Sequence, residues 1–166
     1  MLDWPEIVLR LGVATLAGGL IGLDRDLRGK PIGLKTLGLV GLATAMVVVL
    51  TISSSDPAKI SDAASRVIQG ILTGIGFLGA GVIVRAEQRF RVHGLTSAAC
   101  TWLTACIGIA CGTGQWRIVI VALVLTFALL IVGLRIERFL HRMLGGRDEP
   151  AQSPSAAVST PNTPPR

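Results

Sequence analysis

The sequence predicts an all-α polytopic membrane bundle of five transmembrane helices, with a glycine-rich third helix at its centre. Three observations predict it. Apolar residues make up 51% of the 166-residue chain and charged residues only 16%, against about 25% charged in ordinary soluble domains, and mean hydropathy is +0.64. The apolar residues fall into five blocks, at residues 7–23, 34–52, 67–84, 95–111 and 118–134, each the length a helix needs to cross about 30 Å of hydrocarbon. Basic residues gather between those blocks with a strong bias to one side, as membrane topology requires. The net charge of +6 therefore does not call for nucleic acid: the basic runs are short, no aromatic residues interleave them, and the chain has no tyrosine.

Taking the elements in order, the first span is preceded by Asp3, Trp4, Pro5 and Glu6 and followed by Asp24, Arg25 and Asp26. A cleaved signal peptide carries basic residues ahead of its apolar run and a small-residue cleavage site behind it, so this span is expected to stay. Arg10 is the only charge well inside a span. It lies one turn after Glu6, where an i,i+4 pair or snorkelling to the surface accounts for it. The second span follows a loop bent by Gly29, Pro31 and Gly33.

The third span, residues 67–84, has no charge and five glycines. In water each glycine would cost up to about 1 kcal/mol relative to alanine. In lipid no solvent competes for the backbone, and glycine lets neighbouring helices approach closely. Gly70, Gly74 and Gly81 fall within about 40° of one another, while Gly76 and Gly79 lie roughly opposite. A helix cut away on two sides is expected to be packed on two sides, which is why it is placed at the centre.

Cys100, Cys106 and Cys111 all lie on the fourth span. The first and last share a face but stand about 16 Å apart along the axis, too far for a disulfide, so all three read as small packing residues. After the fifth span, residues 145–166 contain five prolines, several Ser and Thr, and no apolar periodicity. They are expected to form a disordered cytoplasmic tail.

Orientation follows from the charges. Arg25, Arg28, Lys30, Lys35, Arg85, Arg89, Arg91, Arg135, Arg138, Arg142, Arg147 and Arg166 share one side, against Lys59, Arg66 and Arg117 on the other. The richer side is cytoplasmic, which makes the N-terminus periplasmic and sets Trp4 and Trp116 at the outer interface.

Pumps and coupled transporters usually hold an ionisable group near the bilayer midplane, and none of the five blocks does. Two polar clusters remain. On the outer side Asp62, Arg66, Gln69 and Thr73 form one helical stripe, expected to face protein. On the inner side Asp24, Arg25, Lys30, Lys35 and Thr36 crowd the first loop, where Asp24 is expected to pair with Arg25 or Lys35. Each cluster reads either as ion-paired glue fixing helix register or as a functional site. Asp24 and Asp26 offer oxygens to Mg²⁺, but the neighbouring arginines and lysines make a poor cage for a divalent cation. His93 and His141 sit at the cytoplasmic edges. No nucleophile and base are paired and no metal-ligand spacing occurs, so neither catalysis, a metal nor a cofactor is expected.

Four blocks carry a resemblance: Gly22 to Arg25; Lys30 to Thr36; the run Gly74-Ile75-Gly76-Phe77-Leu78-Gly79-Ala80-Gly81-Val82-Ile83; and Gly94 to Ala99 followed by Trp102, with Arg66 and Gln69 ahead of the glycine run. The chain resembles the membrane domain of the MgtC/SapB family of bacterial inner-membrane proteins. It departs from the family at Asp24, where Glu is usual, and at Lys35, where Arg is usual. Many relatives carry a soluble domain where this sequence has only residues 145–166, so regulation by a cytoplasmic ligand is not expected. The resemblance implies a part in low-magnesium adaptation or virulence and, for at least one member, action through the membrane sector of the rotary ATP synthase. Two readings follow: a non-enzymatic regulator that contacts another integral membrane complex or a second copy of itself, and a passive conduit for Mg²⁺ or another cation.

Overall fold

The computed structural model describes residues 2–54, 60–84 and 94–143. They form five helices, α1 (Trp4–Leu27), α2 (Leu34–Ser54), α3 (Ile60–Val84), α4 (Leu95–Gly112) and α5 (Trp116–Met143), and no strand among the described residues. All five are long and apolar enough to cross a membrane, and the architecture is a helical membrane bundle. Lys59, the basic residues Arg85, Arg89 and Arg91, His93, the His141 side chain and the 145–166 tail lie outside what is described.

Local signals account for the helix ends. Pro5 opens α1, where its missing N–H costs nothing. At the other end, Gly29 adopts φ +62°, while Gly29 N–H donates to Asp26 O and Lys30 N–H to Arg25 O. This is a Schellman closure, and only a residue at ease in the left-handed region suits its turn position. α4 ends the same way: Gly114 has φ +75°, and Gln115 N–H reaches back to Ala110 O.

The core lies among α1, α2 and α4. Half of the α4 span and 44% of the α2 span are buried, against 6% of the α3 span. Ala14, Ala17 and Ile21 of α1 meet Leu37 and Ala45 of α2 and Ile107 and Cys111 of α4 in one cluster. The backbones there come into direct contact. A Cβ at Gly22 would stand 2.6 Å from Gly33 O, one at Gly41 2.5 Å from Ala14 O, one at Gly108 2.7 Å from Gly41 O, and one at Gly112 2.9 Å from Ala45 O. At Gly18 it would run into the Leu37 carbonyl. In lipid, where apolar burial gains little, such close packing is what holds helices together.

The expected central position of α3 is therefore corrected. A Cβ at Gly70, Gly74, Gly76 or Gly81 would meet nothing within 4 Å, and at Gly79 only the Ala98 methyl at 3.6 Å. Within the chain, α3 is peripheral and rests on its larger apolar side chains. Ile75 and Ile71 pack with Val40 of α2 and Ala105 of α4, and Val82 packs against the main cluster. Branched side chains fill the space between helix axes, and Gly70, Gly74 and Gly81 border open grooves beside α2 with no close contact.

Buried threonine hydroxyls are satisfied within their own helices: Thr44 donates to Val40 O at 2.8 Å, Thr101 to Ser97 O at 2.9 Å and Thr104 to Cys100 O at 2.8 Å. Back-bonding of this kind lets Thr sit in an apolar core. Cys100 and Cys111 are buried and Cys106 is half-buried, all three free. Residues up to Leu130 belong to one compact unit, to which α5 contributes buried Val119 with Ala122, Leu123 and Phe127 beside it. The rest of α5 belongs to a second unit, in which Ile136 is exposed.

Candidate functional site

The inner polar cluster divides into three parts. Arg25, on the last turn of α1, is only 4% exposed, and its Nη2 donates to Ser97 Oγ at 2.6 Å. Ser97 lies in the first turn of α4, so this bond ties the end of α1 to the start of α4 across 72 residues of sequence. The Arg25 Nε finds no partner among the described residues, and no carboxylate there pairs with the guanidinium. A buried cation so sparsely compensated is costly and holds its single hydroxyl partner firmly in place.

Asp24 does not pair with Arg25 or Lys35. It accepts two hydrogen bonds from Arg28, both at 2.8 Å, and the bonded carboxylate holds the Arg28 guanidinium above its ordinary pKa. The reason is helical geometry: Arg28 lies one turn along the same face, whereas Arg25 is rotated about 100° into the bundle. Asp26 supplies the third part. Its Oδ2 accepts from Leu34 N–H at 2.8 Å, which caps the start of α2 from eight residues upstream. The Asp26 carboxylate occupies the space a side chain at Gly33 would need. Lys30, Lys35 and Thr36 are exposed and outside this network.

At the opposite end of the bundle Arg10 forms the expected pair with Glu6, Nε to Oε1 at 2.8 Å. It also does something the sequence did not suggest. Its Nη1 donates to Gly112 O at 2.7 Å, and the guanidinium lies where a Cβ on Gly114 would fall, 2.8 Å from Nη2. A cation on the last carbonyls of α4 is favoured by the unsatisfied C=O groups and the helix dipole. α1 and α4 are thus joined at both ends, by Arg25 at one and Arg10 at the other.

The outer stripe is placed differently from expectation. Asp62, Arg66, Gln69 and Thr73 share one face, but all are exposed on the side of α3 away from its contacts in the chain. Beside them a groove of about 220 Å³ between α2 and α3 is lined by Ala43, Thr44, Val47, Gly70, Ile71, Gly74 and Ile75. Towards the C-terminal end of α3 a second groove, about 390 Å³, runs between Pro31, Thr36 and Val40 and Phe77, Gly81 and Val82. Among the described residues no three His, Cys, Asp or Glu come together as metal ligands would.

Asp26 is named from the sequence only as an oxygen donor and Gly22 and Ser97 only within the blocks that carry the resemblance, while Arg28 enters only in the charge count and Gly18, Gly41, Gly108 and Gly112 are not singled out. Gly18 and Gly22, and Gly108 and Gly112, are each four apart, the spacing that marks a close helix contact. That signal was present for the glycines. Nothing local points to Ser97.

A model of the MgtC family matches residues 11–139. SrpB of Synechococcus elongatus is 36% identical over 144 residues, covering 82% of this chain and 79% of SrpB. YhiD of Escherichia coli, described as a candidate magnesium transporter, is 36% identical over 133 residues, 76% of this chain and 60% of its own. MgtC of Salmonella typhimurium is 41% identical over 117 residues, 70% of this chain and 47% of its own. The chain thus spans most of SrpB but only about half to three-fifths of the other two. No solved structure matches it.

Proposed function

Since the chain belongs to the MgtC family, we propose that this multi-pass membrane protein is a non-enzymatic regulator of the bacterial inner membrane, acting through helix contacts with another integral membrane complex. Its setting is low-magnesium adaptation or virulence, and the membrane sector of the rotary ATP synthase is the partner to test first. The N-terminus is periplasmic and the C-terminus cytoplasmic, in line with twelve basic residues on one side and three on the other.

One observation carries this reading: the interior of the bundle is filled by backbone contact. Gly18, Gly41 and Gly108 bring α1, α2 and α4 together with no room for a methyl group, and the buried Thr44, Thr101 and Thr104 hydroxyls are spent on their own helices. A permeating ion needs a path lined by groups free to replace its water. Gln69 and Thr73, the polar residues closest to mid-span on α3, face outward.

The description of YhiD as a candidate magnesium transporter favours a second reading, in which the chain is a passive Mg²⁺ conduit. The two are separated by capturing the intact protein from native membranes after brief crosslinking. Recovery of a membrane complex in fixed ratio supports the regulator. Recovery of the protein alone, together with Mg²⁺ passage by the purified protein, supports the conduit.

A further inference from the structure

We infer that the outward face of α3 pairs with the same face of a second copy of this chain. The inference rests on the proposed function only in taking helix contacts within the membrane as this protein's mode of action.

The face carries groups that lipid does not satisfy. Gln69 and Thr73 lie within the span, exposed. Thr73 back-bonds to Gln69 O at 2.8 Å, but the Gln69 amide has no hydrogen-bond partner among the described residues. An amide left in hydrocarbon is expensive. Asp62 and Arg66 are opposite charges one turn apart, yet they form no ion pair with each other in the chain.

What selects a second copy is self-complementarity. All copies insert with the same orientation, so a two-fold axis lies along the membrane normal and sets each residue opposite its own equivalent at the same depth. Few polar side chains tolerate that arrangement, and these do. An amide both donates and accepts, so Gln69 bonds reciprocally with its equivalent. Arg66 reaches Asp62 of the partner subunit across the axis, and Asp62 reaches Arg66 of the partner subunit in return. Deeper in the span, Phe77 is 82% exposed and follows one turn after Thr73, about 40° around the helix, so it continues the same outward face and packs against its equivalent at the same depth.

The test is disulfide trapping of the full-length protein in its native membranes. The variant Thr73→Cys places a thiol at the centre of the face, and Leu129→Cys, on exposed α5, serves as control. Mild oxidation should give a product of twice the chain mass for Thr73→Cys and not for the parent or Leu129→Cys. Adding Gln69→Leu to Thr73→Cys should lower the association about tenfold, since the reciprocal amide pair is lost. No dimer at Thr73, equal dimer at Leu129, or a product containing a different protein would each overturn the pairing. Loss of trapping with intact capture of a membrane complex refutes the pair and leaves the regulatory reading standing; trapping without that capture does the reverse.

Discussion

Gly41→Ala, compared with Gly12→Ala, measures how tightly α1 and α2 are locked. At Gly41 the new methyl would stand 2.5 Å from Ala14 O and 3.2 Å from Ala14 C, whereas at Gly12 it would meet nothing within 4 Å. Ordinary contact begins near 3.4 Å, so the helices must part by about 0.9 Å along that line, with 2.5 Å taken from 3.4 Å. Both obstructing atoms are backbone and cannot rotate away. Each substitution gains the same helical propensity, up to about 1 kcal/mol, so the difference between the two variants isolates the cost of overpacking, typically about 1–3 kcal/mol. At about 2–4 °C per kcal/mol for a chain of this size, Gly41→Ala should melt about 2–12 °C below Gly12→Ala. The assay is thermal unfolding in one detergent. Equal melting points would refute direct backbone contact between α1 and α2.

Other outcomes follow from the polar network. Asp26→Ala removes the acceptor that caps α2 and should cost about 1 kcal/mol, while Asp26→Asn keeps most of it; both are read from detergent unfolding. Ser97→Ala leaves buried Arg25 without its recorded partner and should cost about 1–3 kcal/mol, seen as a lower melting point with unchanged membrane insertion. Asp24→Ala breaks only an i,i+4 pair on the helix surface, a kind of pair that contributes little, so folded yield should stay near that of the parent. Arg10→Ala loses a charged bond to the end of α4 and should cost about 1.5–3 kcal/mol, well above Asp24→Ala in the same unfolding assay.

The number of helices was legible because apolar block length is a local property fixed by bilayer thickness. The turn at Gly29, the Glu6–Arg10 pair and the absence of charge at mid-span were local too. The centre of the bundle was not. Five glycines in α3 outweighed two each at the contact faces of α1 and α4 when counted by density, yet packing depends on what the opposite helix presents. Gly41 is buried because Ala14 faces it, and no single span records that pairing. Asp24 was misassigned for a similar reason: several cations lie near it in sequence, and only the helical turn selects Arg28. The Arg25–Ser97 bond joins positions 72 residues apart, beyond what the spacing of either helix reveals.

The proposed role turns on whether the filled α1–α2–α4 interior carries ions. The most direct measurement is Mg²⁺ entry into sealed vesicles reconstituted with the purified full-length protein, followed by an enclosed magnesium-sensitive dye. A regulator with a closed interior predicts entry no faster than in protein-free vesicles, at any outward or inward gradient. Saturable entry that scales with the amount of protein and is blocked by a bulky substitution facing the α2–α3 groove, such as Gly70→Leu, would contradict it.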